Sequence, residues 1–303
     1  MSDALPVVLA YAAIALSWGG TWPVGKLAVG EVPPLELSAI RFALVGVVLL
    51  ALCVVLRIPL GRRDLGAVIL AAGLGIFLYN ALVFVALTMA PASDGALIVP
   101  TSIPVLTALA AIAIGERMTG TKAAGFAVAT VGGALVIVGA QTAGSAFSPQ
   151  RLLADVMALG GAACWAAYGV AGHVAMRDRS PIALVALTSL IGAAMLFPLG
   201  LLEHGYRDVP TWPLSAWALL GYLVVFATIV GFVLFQWSVR RFGAGVASMV
   251  SYLVPIAALL IAAVWLAERP APLQLAGGAV ILAGVRVATM RGPTTAEVAV
   301  EPI

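Results

Sequence analysis

ALSWGGTW, at residues 15–22, decides the fold because a similar stretch, AACWAAYG, follows 147 residues later at 162–169. A second signal repeats in the same order. Pro104 is followed by Glu-Arg twelve residues on, and Pro255 is followed by Glu-Arg after thirteen. The chain is therefore predicted to contain one module twice.

The composition is that of a membrane protein. Hydrophobic residues make up 63% of the 303 positions and charged residues only 10%, against about 25% charged in an ordinary soluble domain. About 20 apolar residues cross the hydrocarbon core as a helix. Ten such segments are predicted, at 6–26, 35–56, 65–87, 93–114, 122–140, 152–174, 182–202, 214–237, 244–266 and 272–290.

The repeat and the number of spans together predict the topology. Each module holds five spans, and an odd number starts the second module on the opposite side of the bilayer. We expect an all-α polytopic protein of ten transmembrane helices built from two inverted five-helix repeats, as in secondary transporters. The predicted domains are the repeats at 1–145 and 146–291, followed by a disordered cytoplasmic tail at 292–303.

Charges at the span ends predict the orientation. With the N-terminus inside, eleven of the 16 Lys and Arg residues lie in the cytoplasm and four outside, with Arg41 within a span. The positive-inside rule then places both termini in the cytoplasm of a bacterial inner membrane. Lipid headgroups explain the net charge of +3, and no basic tail indicates nucleic acid.

The chemistry of an enzyme is not evident. Cys53 and Cys164 lie inside spans, where neither a disulfide framework nor a metal site can be built from them. The loops leave no room for a soluble catalytic domain, and two histidines without an embedded carboxylate do not make an acid–base pair. We expect no enzyme activity, no cofactor and no metal, and a membrane enzyme acting on lipid is a remote alternative.

Several of these signals, in this order, resemble EamA-type members of the drug/metabolite transporter superfamily. In the first half they are Trp18-Gly19, Arg41-Phe42, the run 86–96, Pro104 and 115–117; in the second they are Trp165, Pro181, 243–247, Pro255 and 267–269. The resemblance implies a ten-helix transporter of small metabolites. It also implies a central cavity lined by the third, fourth, eighth and ninth helices, with help from the first and sixth. Thr188 departs from the pattern, since it occupies the place of Arg41.

Aromatic residues are the leading candidates for substrate contact. Trp18 and Trp165 lie more than two turns inside their spans, too deep for an interfacial belt, and Tyr168 shares a helix face with Trp165. An indole or phenol offers a flat apolar surface and one polar tip. The alternative is that such rings only pack between helices. The predicted aromatic binding residues are Trp18, Tyr79, Trp165, Tyr168, Trp237 and Tyr252.

Polar residues inside spans form the second group of candidates. Asn80, Ser102 and Gln236 are predicted to face the interior, because an amide or hydroxyl in hydrocarbon needs a partner. They could bind substrate or simply form hydrogen bonds within the bundle. Prolines interrupt helix hydrogen bonding, so Pro100, Pro104 and Pro255 are predicted hinges or helix breaks.

Charged residues within spans are few. Lys26 and His173 occupy equivalent places in the two halves, and together with Arg41 they could recruit a carboxylate; snorkelling to headgroups or helix capping are the alternatives. No carboxylate lies at the midplane, which argues against a proton-driven antiporter and favours facilitated diffusion.

We therefore expect an exporter or facilitator of small organic metabolites, most of all amino acids including aromatic ones, working by alternating access. The alternative is a nucleotide-sugar or multidrug-type carrier of the same superfamily. The partners are a small-molecule substrate and the lipid bilayer. Glycines in the fifth and tenth spans, such as Gly132 and Gly284, would let helices approach closely. We expect a monomer, with a dimer through these faces as the alternative.

Overall fold

The computed structural model describes residues 4–113, 119–140, 148–265 and 272–289, and within these ranges the chain is helical, with no strand. Two π-helical segments, Ala72–Leu78 and Leu223–Val230, and two 3-10 segments, Val209–Thr211 and Met249–Tyr252, interrupt or join the α-helices. The α-helices are α1 (Ala4–Glu31), α2 (Pro34–Val55), α3 (Leu65–Ala71), α4 (Tyr79–Met89), α5 (Ala92–Ala113), α6 (Gly120–Ala140), α7 (Pro149–Ala175), α8 (Pro181–Glu203), α9 (Leu214–Tyr222), α10 (Gly231–Ser248), α11 (Leu253–Trp265) and α12 (Pro272–Thr289).

These helices follow the predicted spans. α3, the first π segment and α4 are continuous and form the third span; α9, the second π segment and the start of α10 form the eighth. Gly243 lies between the predicted eighth and ninth spans, and its backbone is left-handed, with φ 81° and ψ 162°. Glycine adopts that conformation without the Cβ clash of other residues. The repeat boundary at 145–146, the two Glu-Arg pairs and the tail 292–303 lie outside the described residues.

Six described helices are long and apolar enough to cross a membrane. The last of them, Leu214–Ala258, has 45 residues, which is about 68 Å of helix and roughly twice the thickness of a hydrocarbon core. The number of long apolar helices found is therefore lower than the ten spans predicted. Two of the predicted spans are merged into one helix across Gly243. Others are short or adjoin residues outside the described ranges. The six are Leu5–Glu31, Pro34–Val55, Leu65–Met89, Pro149–Ala175, Pro181–Glu203 and Leu214–Ala258.

The two halves pack with an approximate two-fold pattern. α2 packs against α8, its counterpart in the second half, and α6 packs against its counterpart α12. α5 of the first half packs against α7 of the second. In the same way α11, the counterpart of α5, packs against α1, the counterpart of α7. The π segments also occupy corresponding helices. The arrangement is consistent with two repeats of one module.

The contact between α6 and α12 is a close approach of two backbones. A Cβ added at Gly132 would lie 2.6 Å from the backbone nitrogen of Ile281, and one at Gly284 would lie 2.4 Å from that of Ala129. Only glycine fits at such distances. The small-residue stripes predicted in the fifth and tenth spans thus meet inside one chain, where each glycine packs against the other's helix.

Buried carboxylates join α2 and α8 at one end of the bundle. Glu36 is fully buried, and its Oε1 accepts hydrogen bonds from the backbone N–H groups of His204 and Tyr206, both at 3.0 Å. Glu203 in turn accepts from the N–H groups of Leu35 and Glu36 at the start of α2. Glu203 thus satisfies N–H groups at the N-terminus of α2 that lack partners within the helix, and Glu36 holds the turn that follows α8.

Candidate functional site

A cavity lies between the two halves, where α1 and α4 of the first half face the second π segment and α10 of the second. The space inside it that a water-sized molecule can reach is about 50 Å³, and about 570 Å³ is free of atoms when the space open to solvent is counted. The lining is apolar and aromatic, with a few polar groups. The lining residues are Trp18, Thr21, Trp22, Arg41, Tyr79, Val83, Phe84, Leu87, Val99, Pro100, Ile103, Trp165, Ala227, Phe232, Ser251 and Val254.

Trp165 from α7 is the centre of an aromatic cluster on one side of the cavity. Its indole is 3% exposed. Tilted and edge-on contacts of this kind stabilise aromatic pairs by about 0.5–1.5 kcal/mol beyond simple burial, so the rings hold one another in place. The neighbours, with ring centroids 4.7–5.4 Å away, are Trp18, Tyr79, Tyr168, Phe232 and Phe235.

Trp18 is positioned by the second π segment. Its Nε1 donates a hydrogen bond to the backbone oxygen of Ala227 at 3.1 Å. The absence of a side chain at Gly231 makes room for the ring, because a Cβ there would lie 2.3 Å from Nε1. π-helical turns are uncommon and concentrate at functional sites. The segment Leu223–Val230 and Gly231 therefore both help to position the ring of Trp18, which lines the cavity.

Arg41 is the charged residue of the lining. It is 2% exposed, and its Nε donates to the hydroxyl oxygen of Thr228 at 2.7 Å. The guanidinium carbon lies 4.9 Å from the ring centroid of Phe42 and 5.5 Å from that of Phe84, distances at which aromatic rings attract a cation. The expected alternative of snorkelling does not apply, because the side chain points between the helices rather than to their ends.

Two further polar atoms of the lining residues are buried without a hydrogen-bond partner among the described residues. They are Nε1 of Trp165 and the hydroxyl oxygen of Ser251. Buried polar groups are usually paired. Both belong to residues that line the cavity, as Arg41 does.

Tyr168, Asn80 and Gln236 are fully buried but do not line the cavity. Tyr168 lies beneath Trp165, with ring centroids 5.0 Å apart. The Nδ2 atom of Asn80 donates to the oxygen of Ile76 at 2.8 Å, inside the first π segment. Gln236 packs on α7, where a Cβ at Gly172 would lie 2.7 Å from its Oε1. Their predicted contact with substrate has no support in this geometry.

Ser102, Tyr252 and Trp237 also lie away from the cavity lining. Ser102 borders a separate, more open groove. The hydroxyl of Tyr252 is 2.7 Å from that of Thr130 on α6, either of which can donate. Trp237 contacts Phe242, with ring centroids 6.2 Å apart. The structure thus brings together three of the predicted binding residues, Trp18, Tyr79 and Trp165.

The predicted hinges and the other basic residues have definite places. α5 runs through Pro100 and Pro104 without interruption, while Pro255 follows the 3-10 segment at the start of α11. Lys26 donates from Nζ to the oxygens of Leu87 at 2.5 Å and Ala90 at 2.9 Å, at the end of α4. His173 is exposed in the last turn of α7. Of these, only Pro100 lines the cavity.

Sequence reasoning missed several lining residues. Phe232, Phe84 and Ser251 carry no signal of their own, because phenylalanine is common in any span and Ser251 stands beside the more conspicuous Tyr252.

The EamA-like transporter family is the family whose sequence model matches the chain, over residues 5–138 and again over 152–290. A probable terminal-alkyne amino-acid exporter of Streptantibioticus cattleyicolor is 30% identical over 279 residues, with 91% of each chain covered. The aromatic amino acid exporter YddG of Ancylobacter novellus is 27% identical, covering 96% of this chain and 99% of that protein. An uncharacterized transporter of Bacillus subtilis, YyaM, is 29% identical, with 89% of each covered.

A solved crystal structure has the same fold. It superposes with a TM-score of 0.76 and 24% sequence identity, covering 94% of this chain and 96% of its own. Because the family model matches each half separately, the duplication is evident in the sequence family as well as in the packing.

Proposed function

Because the chain belongs to the EamA-like transporter family, we propose that it is an exporter or facilitator of amino acids, with aromatic ones preferred. Family membership and the names of its relatives support a membrane transporter of metabolites over an enzyme. The more specific proposal is that substrate binds in the cavity between the halves and moves by alternating access.

One observation carries the aromatic preference. Trp18, Tyr79 and Trp165, from three different helices, line the cavity at the junction of the halves. Aromatic walls favour a flat apolar side chain, and the few polar groups can hold the remainder of the molecule. Two relatives bear the names of amino-acid exporters, which supports the same substrate class.

The proposed topology has ten transmembrane helices in two inverted repeats, with both termini in the cytoplasm of an inner membrane. The length of Leu214–Ala258, sufficient for two crossings, supports the division at Gly243. Single cysteines at Arg62 and Arg207 test it with membrane-impermeant reagents. Labelling of the first from the cytoplasm and the second from outside is expected, and labelling of both from one side would contradict the inverted repeats.

We propose that transport follows the substrate gradient without a proton gradient. None of the described residues that line the cavity is acidic, so no lining carboxylate is present to load and release a proton. A nucleotide-sugar carrier would need several cations for its phosphates, whereas Arg41 is the single basic residue in the described lining. The geometry therefore favours an amino acid over that alternative.

Counterflow in proteoliposomes tests the proposal. Labelled phenylalanine or tryptophan should exchange against trapped unlabelled substrate faster than alanine or glycine, with or without a pH gradient. Tyr79→Leu should reduce this preference, because it removes one ring of the lining while keeping an apolar side chain. Trp217→Leu is the matched control, since Trp217 is 39% exposed and pairs with Trp212 away from the cavity. Equal exchange of all amino acids by the unaltered protein would contradict the aromatic preference.

A further inference from the structure

Arg41 carries a charge that the described structure does not neutralise. No ion pair of the described residues involves it, and the described residues that line its cavity include no Asp or Glu. An isolated charge in a low-dielectric interior is costly, and ionisable residues at membrane depth mark substrate or ion sites unless they are paired. The cavity therefore contains one uncompensated positive charge.

The guanidinium is oriented by a relay of hydrogen bonds. The hydroxyl of Thr228 donates to the backbone oxygen of Leu223, five residues back, at 2.8 Å. Its proton is thereby used, so its oxygen is free to accept from Nε of Arg41 at 2.7 Å. A carbonyl five residues back is within reach because residues 223–230 are π-helical. The relay occupies Nε and leaves both Nη groups without a hydrogen bond to any described residue.

The charge is present in only one half. Thr188 takes the place of Arg41 in the second repeat, and its hydroxyl donates to the oxygen of Leu184 in its own helix at 2.9 Å. Thr188 does not line the cavity. The binding space is thus asymmetric, with one cation on the α2 side and aromatic rings around it.

We propose that the Nη groups of Arg41 bind a carboxylate of the substrate, and that this carboxylate, rather than an α-ammonium group, is the charged group that the cavity requires. The inference rests on the proposed function and narrows it to aromatic carboxylates. A guanidinium matches a carboxylate with two parallel hydrogen bonds. A single carboxylate neutralises the single cation, while an ammonium group finds no acidic partner in the described lining.

Three ligands that share a phenyl ring separate the two charges. Phenylalanine carries both, 3-phenylpropionate only the carboxylate, and phenethylamine only the ammonium. Binding is measured by thermal shift of the purified protein in detergent at neutral pH, and transport by competition against labelled phenylalanine in proteoliposomes. Phenylalanine and 3-phenylpropionate should bind with similar strength. Phenethylamine should bind roughly tenfold to a hundredfold more weakly, the range expected for losing hydrogen bonds to a charged group. Equal binding of phenethylamine and phenylalanine would overturn the inference.

Substitution locates the effect. Arg41→Met, which keeps length and loses charge, should abolish the discrimination, and Arg41→Lys should restore part of it. Arg240→Met is the matched control, because Arg240 is exposed and does not line the cavity, and it should leave discrimination unchanged. A folded Arg41→Met protein that still prefers the carboxylates would refute the role of Arg41.

Two outcomes keep the proposals separate. If Arg41→Met does not fold, the ligand series on the unaltered protein decides alone. The unaltered protein could exchange no phenylalanine in liposomes and still be stabilised more by the two carboxylate ligands than by phenethylamine. The proposed transport then fails while the assignment of Arg41 stands. If the unaltered protein exchanges phenylalanine but binds phenethylamine equally well, the proposed transport stands and the assignment of Arg41 fails.

Discussion

Gly231→Ala is a one-methyl change that should displace a cavity ring without disturbing the helix. The backbone of Gly231 is already α-helical, with φ −61° and ψ −51°, so alanine is allowed there. The new Cβ would lie 2.3 Å from Nε1 of Trp18. The indole must therefore move away from α10, and because Trp18 lines the cavity, we expect it to move into that space.

The size of the effect follows from the contacts. Ordinary van der Waals contact begins near 3.4 Å, so Nε1 must retreat by roughly 1 Å. That breaks its hydrogen bond to Ala227, worth about 0.5–1.5 kcal/mol, and forces a strained rotamer at a similar cost. The ring is displaced only because keeping it in place costs more than these two terms together, about 1–3 kcal/mol. Moving it back to admit substrate is expected to cost a similar amount, which is a roughly five- to 150-fold weaker half-saturation.

The assay is concentration-dependent counterflow of labelled phenylalanine, with thermal stability measured on the same preparations. Alanine gains up to about 1 kcal/mol over glycine in a helix, which partly offsets the clash in stability but not in transport. Gly221→Ala is the matched control, because it lies in α9 with no atom within 4 Å of its added Cβ. It should leave transport unchanged and stability equal or higher.

A double-mutant cycle decides whether the effect passes through the ring. Trp18→Phe lacks the Nε1 atom that the new methyl meets, so adding Gly231→Ala to it should weaken half-saturation by less than about threefold, the factor that roughly 0.6 kcal/mol represents. The same loss in both backgrounds, or a loss as small as that of Gly221→Ala, would refute the reasoning and remove Trp18 from the site.

Three other predictions concern the frame around the cavity. Gly284→Ala should lower thermal stability by about 1–3 kcal/mol, because its Cβ would meet the backbone of α6 and the two helices must separate, whereas Gly66→Ala, with open space around it, should not. Lys26→Met should reduce stability with little change in substrate preference, because the ammonium caps the end of α4 and does not line the cavity; loss of transport with stability unchanged would contradict this. Hydrogen bonds from the backbone N–H groups of residues 63 and 62 hold the pKa of Asp178 below its ordinary 3.8, so its stabilisation is present above about pH 4 and is lost as the pH falls further. Asp178→Asn should therefore lower the melting temperature at pH 7, and this difference from the unaltered protein should become smaller toward pH 3. A difference that stays the same at pH 3 would contradict this contact.

Much of the fold could be predicted from the sequence because it depends on length and hydrophobicity alone. The repeated stretch around Trp18 and Trp165, and the apolar segments after Pro34 and Pro181, are read directly from residue types. The helices begin within about two residues of most predicted spans. The gap predicted between the eighth and ninth spans, 238–243, also contains Gly243, whose left-handed backbone interrupts the helical segment Gly231–Ser248.

The site was predicted in part, and the failures follow from helix phase. Trp18, Tyr79 and Trp165 were found because large rings deep in a span stand out. Asn80 was expected to join them, but it stands next to Tyr79 in α4, and adjacent residues of a helix point about 100° apart. Tyr252 ends a 3-10 segment, in which each residue advances by about 120° rather than 100°. The face that α-helical spacing assigns to Tyr252 is therefore taken by Ser251.

The two basic residues Lys26 and Arg41 show a second kind of limit. Both stand a few residues inside a span, and reasoning from the sequence treats them alike. In α2 the outward-facing residues, such as Val47 and Val48, are as apolar as the inward-facing Val45, because lipid and protein interior are equally hydrophobic. No pattern reveals which way such a helix is turned. The rotation becomes known only through the partner that Arg41 meets, Thr228 in the other half. The hydrogen bond to Thr228 uses Nε of Arg41 and leaves its Nη groups beside the cavity without a described partner. The rotation of α2 therefore determines the charge that a substrate must carry, which is negative.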